Sequence, residues 1–184
     1  MKIIQYGFPD AILYSYQYPE ADELNPILHK IITDITKDSE HPNNMGALMS
    51  EPYNFSIKEF NKIVDYVKEC LYNLGKEYNP KYPLKPSPLK LVELWGQYYK
   101  KGAYQISHYH IHADWAFVYY VNTPEGSSPL VFDGAFKFTE VDGEEKEVYS
   151  KAGEVVIFPG WLMHHVPENQ GEGRSVLSGN LSYE

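Results

Sequence analysis

Gln105-Ile-Ser-His108-Tyr-His110-Ile-His112-Ala-Asp114-Trp115-Ala-Phe-Val-Tyr-Tyr-Val121 is the stretch on which the fold turns. Its first half alternates imidazoles with other side chains, and its second half is an apolar, β-branched and aromatic run of strand type. Residues i and i+2 of a strand face the same way, so His108 and His110 can aim two rings into one interior. Downstream, Gly153-Glu-Val-Val-Ile-Phe-Pro159-Gly-Trp-Leu-Met-His164-His165-Val-Pro places another histidine after a second apolar strand. A lone histidine is most simply a surface or hydrogen-bonded core residue, but five of the seven histidines fall in these two stretches, which argues for a metal centre. The expected ligands are His108, His110 and His164, a facial set that leaves positions open on the metal.

Asp114 is the alternative ligand. His112-x-Asp114 spells a His-x-carboxylate pair, and a carboxylate suits Fe(II). If Asp114 ended the first strand, nothing would remain to turn before Trp115, whereas His108 and His110 leave Ile111 to Asp114 as a short loop. From that loop Asp114 could still reach the metal.

Working outward, short β-type runs at 89–99, 103–110, 115–121, 129–132, 135–140, 146–150, 154–158, 163–166 and 174–182 are separated by turn signals, a count that suits a barrel or a two-sheet jelly roll. The Pro-rich stretch 79–88 divides them from a different first part. There, 11–18 reads as a strand, 22–36 as a helix, and 57–74 as a second helix with a Ser56/Glu59 capping box and a stop at Gly75. The expectation is a single domain, 1–184. A helical support region, 1–88, would buttress one face of a mainly β core, 89–184, built as a double-stranded β-helix.

Composition narrows the chemistry. At 184 residues there is room for one compact core. The single cysteine, Cys70, can build neither an intramolecular disulfide nor a thiolate cluster, so a metal must rely on His, Asp or Glu; iron, manganese and nickel fit better than structural zinc. A formal net charge of −9 weakens any case for nucleic acid. No long apolar run or secretory leader is visible, which points to the cytoplasm and away from a membrane.

Trp95-Gly-Gln-Tyr-Tyr-Lys-Lys-Gly102, His108-Tyr-His110, Trp115 to Phe132, Gly153 to His164 and Gly173-Arg174-Ser together resemble the prolyl-hydroxylase-like 2-oxoglutarate/Fe(II) oxygenases of bacteria and phages, over about residues 89–182. The resemblance implies a jelly-roll hydroxylase that uses Fe(II) and 2-oxoglutarate, with ascorbate as reductant, on a peptide or a small metabolite, and it leaves a homodimer open. It also implies that Arg174, ten residues after His164, grips the far carboxylate of 2-oxoglutarate, as a planar guanidinium can with two parallel hydrogen bonds. Tyr98 is the implied hydroxyl donor to the same carboxylate, its alternative being a packed strand aromatic. Ser175 and Ser178 are weaker polar candidates, and Trp115, Tyr119 and Trp161 are candidate pocket walls. No catalytic residue beyond the ligands is implied. The chain departs from the family in having His110 where an Asp or Glu is usual.

A rival reading shares the architecture. Gly102-x5-His108-x-His110-x3-Asp114 and Gly153-x5-Pro159-x4-His164 also resemble the two cupin motifs, with Asp for Glu and Trp161 for Gly. A cupin would be a metal-dependent dioxygenase, an isomerase or a ligand-binding module that does not use 2-oxoglutarate.

Overall fold

The computed structural model describes residues 2–5, 12–39, 46–78, 88–133 and 145–184. Two antiparallel sheets face one another. The larger runs in the order β1 (Lys2–Gln5), β2 (Ile12–Gln17), β9 (Glu154–Pro159), β6 (Trp115–Asn122), β11 (Arg174–Tyr183), β4 (Leu89–Tyr99) and β3 (Ala47–Met49). The smaller runs β5 (Gln105–His108), β10 (His164–Val166), β7 (Leu130–Phe132) and β8 (Lys146–Val148). Helices α1 (Ala21–Thr36) and α2 (Lys58–Tyr78) accompany them. This is the expected jelly-roll core with two helices.

Period-two alternation divides the interior. Along β6, Phe117, Tyr119 and Val121 join Leu28 and Ile32 of α1 and Phe60, Ile63 and Val67 of α2 in one apolar layer. The residues between them, Ala116, Val118 and Tyr120, join Phe132, Phe158 and Val176 in a second layer between the sheets. The helices therefore cover the outer face of the large sheet, and its inner face meets the small one. Close packing is visible at Gly96, where a Cβ would come 2.8 Å from Cγ1 of Ile32.

Three features differ from the sequence reading. Residues before 89 are more than helical support, because β1, β2 and β3 hydrogen-bond into the large sheet. The helix expected over 57–74 runs on through Gly75 to Tyr78, a cost of about 1 kcal/mol relative to alanine that a long packed helix absorbs. Its first backbone bond, from Asn61 N to Ile57 O, makes Ile57 the cap instead of Ser56. The strand expected at 135–140 lies outside the described residues.

Candidate metal and co-substrate site

β5 and β10 pair antiparallel with His108 opposite His164. That register brings their rings to 4.3 Å between centroids, and His110, two residues beyond in the turn that closes β5, lies 5.2 Å from each. The backbone N–H of His110 donates to Gly160 O at 2.7 Å, which pins this turn to the loop after β9. One ligand nitrogen from each ring falls within 4.8 Å of the others. An ion about 2.1 Å from each nitrogen would draw them to roughly 3 Å apart.

Hydrogen bonds select the nitrogen that is offered. Nδ1 of His108 donates to Ile106 O at 2.9 Å and Nδ1 of His164 to Leu162 O at 2.8 Å, so Nε2 of both rings carries the lone pair, that of His108 accepting from Nε2 of Gln105 at 3.3 Å. The side chain of Asn180 stands 3.2 Å from Nδ1 of His110 and also donates to Glu93. Burial lowers all three imidazole pKa values, that of His110 to about 4 and that of His164 well below the usual range; for His110 and His164 neighbouring imidazoles push further down. Three neutral rings at neutral pH are the state that binds metal without first shedding protons.

Arg174 enters the same pocket from β11. It is 1% exposed, and its Nε, Nη1 and Nη2 are all buried without a hydrogen-bond partner among the described residues. The guanidinium carbon lies 4.3 Å from the ring centre of Tyr99 and 5.6 Å from that of Tyr120. Burial raises both phenol pKa values, and the positive charge of Arg174 opposes that rise. A buried guanidinium with five N–H donors and no acceptor lacks an anion. The space between Arg174 and the three histidines is lined by Trp95, Gln97, Tyr99, Gln105, Phe158 and Ser178 among others. Within it Tyr99 donates to Oε1 of Gln105 at 3.0 Å, and Ser178 donates to Oε1 of Gln97 at 3.3 Å.

Other predicted site residues are elsewhere. Tyr98 and Ser175 pair across β4 and β11 but face the helices: Ser175 Oγ is 2.8 Å from Nδ1 of His29, and Tyr98 reaches Glu172 at 3.5 Å. The cause is strand parity, since Arg174 pairs with Tyr99 and only residues of that parity look inward. The alternative ligand Asp114 does not join the histidines. Its carboxylate is exposed and accepts the backbone N–H of Tyr183 at 2.8 Å, because the turn after His110 carries it to the end of β11. Of the expected walls, Trp115 and Tyr119 belong to the helix-side layer and Trp161 is 55% exposed. Gln97, Tyr99 and Gln105 were missed; counting by twos back from Arg174's partner along β4 would have found the first two.

Residues 93–180, a little under half of the chain, match the family described as "Putative 2OG-Fe(II) oxygenase". No curated protein matches the sequence significantly. Among solved structures, a Pseudomonas putida prolyl-4-hydroxylase is 16% identical with a TM-score of 0.65, covering 94% of this chain and 92% of that one. The collagen prolyl hydroxylase of Paramecium Bursaria Chlorella virus-1, in complex with 2-oxoglutarate, is 14% identical with a TM-score of 0.63, over 92% and 94%. HygX of Streptomyces hygroscopicus, with nickel, 2-oxoglutarate and hygromycin B bound, is 10% identical with a TM-score of 0.66, over 93% and 82%. At these identities the likeness is one of fold.

Proposed function

We infer from the family match over its β core and from the shared fold that the chain is a 2-oxoglutarate/Fe(II)-dependent oxygenase, and we propose that His108, His110 and His164 hold the iron while Arg174 holds the co-substrate. The observation that carries this is the buried guanidinium without an acceptor among the described residues, in one pocket with three converging neutral imidazoles. A dicarboxylate that meets a metal at one end and Arg174 at the other satisfies both.

Bound iron and 2-oxoglutarate supply the oxidising chemistry, in which decarboxylation of the co-substrate to succinate is coupled to hydroxylation of a C–H bond. The protein's part is orientation and exclusion of water. Ile106 O and Leu162 O fix the tautomers of His108 and His164. Stacking on Tyr99 fixes the plane of Arg174, so that its donors can meet a carboxylate in pairs. Gln97, Gln105 and Ser178, not Tyr98 and Ser175, offer polar groups in the pocket that would receive the co-substrate. The apolar residues Phe158, Val118 and Val176 keep the pocket dry.

The primary substrate is proposed only as a peptide or metabolite, with ascorbate as the reductant. The whole of 1–184 would act as one unit in the cytoplasm, as a monomer or homodimer, which light scattering resolves. A free, buried Cys70 and the lack of a helix long and apolar enough to cross a membrane among the described residues fit that location.

The test is turnover of 2-oxoglutarate by iron-loaded protein with ascorbate and oxygen. Slow succinate formation without primary substrate is expected. A cupin would give none above a free-iron control, which would overturn the proposal.

A further inference from the structure

Asp133, directly after β7, has 0% exposure, and it is the one fully buried carboxylate among the described residues. Its Oδ2 accepts the Ser107 hydroxyl at 2.6 Å, and its Oδ1 accepts Nδ1–H of His165 at 2.9 Å. Its own backbone N–H donates to Met163 O at 3.0 Å. Ser107 immediately precedes His108, and Met163 and His165 flank His164. One carboxylate thus fastens together the chain on either side of two converging imidazoles, on strands that hydrogen-bond as neighbours in the small sheet. Among the described residues the pocket lining contains no Asp or Glu.

We propose that Asp133 is a positioning residue for the metal centre, one that also supplies from just outside the pocket the negative charge that three neutral imidazoles lack. The inference rests on the reading of His108, His110 and His164 as ligands. Residues that orient a ligand through a second layer of hydrogen bonds typically govern metal affinity by 10–100-fold, and here the grip is on the residues that flank His108 and His164. Glu145 also comes within 4.8 Å of Asp133 and His165, which gives the trio the composition of a second cation site. Both oxygens of Asp133 and Nδ1 of His165 are already joined by hydrogen bonds, so the geometry favours the clamp.

The experiment compares wild type with Asp133→Asn, which keeps the shape and removes the charge, and with Ser107→Ala, which keeps the charge and frees β5. Fe(II) affinity is measured by competition with a chelator, the Fe(III)/Fe(II) midpoint potential by redox titration, and metal content by elemental analysis. Asp133→Asn is expected to weaken Fe(II) binding by about tenfold and to raise the potential. Ser107→Ala is expected to weaken binding a few-fold with the potential unmoved. Lower thermal stability of the metal-free variants with unchanged affinity and potential would reduce Asp133 to a structural role and overturn the proposal. A wild type carrying two ions per chain, one of them lost in Asp133→Asn, would overturn it in favour of a cation site. A His108→Ala or His164→Ala variant that binds Fe(II) as well as wild type would instead refute the underlying ligand reading, a result separable from the other two.

Discussion

His110 stands in van der Waals surroundings that a carboxylate could also occupy, between the Trp95 ring, 5.9 Å away, and the Asn180 amide. An aspartate there would add one negative charge to the ligand set, and Fe(II) prefers such a set. His110→Asp is therefore expected to fold, keep its metal and make succinate at least as fast as wild type, which the turnover assay reads. The depressed imidazole pKa values give a pH prediction with a definite sign. The unfolded chain's histidines protonate near 6.5, while folded His110 resists until about 4. The unfolded state thus binds more protons in that window, and metal-free stability must fall as pH drops from about 6.5 towards 4. The loss approaches ~1.4 kcal/mol per unit of depression, measurable by urea denaturation across that range. At this scale the sequence was most legible where residue type alone fixes chemistry: His108, His110 and His164 come together, in one pocket with the arginine that the family resemblance singled out. It misled where a neighbour one position away was considered. Ser175 beside Arg174 could never share its face, and Tyr98 fails for the same reason one strand over.

The strands hold the site at their inward positions, so the element that matters most is β11, which pairs with both β4 and β6 and presents Arg174, Ser178 and Asn180 to the interior. Gly179 lets those neighbours close around it. A Cβ there would come 2.6 Å from Phe117 Cε1 and 3.0 Å from Glu93 O. Gly179→Ala should cost on the order of 1–3 kcal/mol by overpacking, seen as a lowered denaturation midpoint. Ile32→Ala in α1 makes the opposite error, leaving a cavity worth about 2–5 kcal/mol. Because Ile32 packs on the helix side, its variant should retain wild-type metal affinity at temperatures where it stays folded. Most elements were legible from period and turn chemistry, and their ends were not. α2 passes Gly75 because packing outweighs a propensity of about 1 kcal/mol. β5 stops at His108, short of the expected 110, because the turn bound to Gly160 claims the next residues.

Over the whole molecule, the proposed role of Arg174 couples ligand to fold through a buried charge. A ligand that binds only the folded state stabilises it by RT ln(1 + [L]/Kd), about 2.7 kcal/mol at a hundredfold excess over Kd. With metal present, 2-oxoglutarate should raise the melting temperature by several degrees, and in Arg174→Ala it should raise it little, because that variant lacks the charge proposed to receive the far carboxylate. Calorimetry on metal-loaded protein should show Arg174→Ala binding metal as wild type does while losing 2-oxoglutarate affinity by at least a hundredfold, the scale of a broken buried pair.

The pairing of β2 with β9 has a consequence for anyone who would cut the protein down. The residues proposed to hold iron and co-substrate all lie after residue 93, which makes the last hundred residues look like a transplantable cassette. They are not one. Without the strands that come first, β9 becomes an open edge carrying Val155, Val156 and Ile157, and the outer face of the sheet loses the helices that shield it. Such a bare, apolar strand edge templates association between copies. A fragment of residues 89–184 should therefore precipitate on expression, and mixing it with a separately made 1–88 piece should restore solubility before it restores any chemistry.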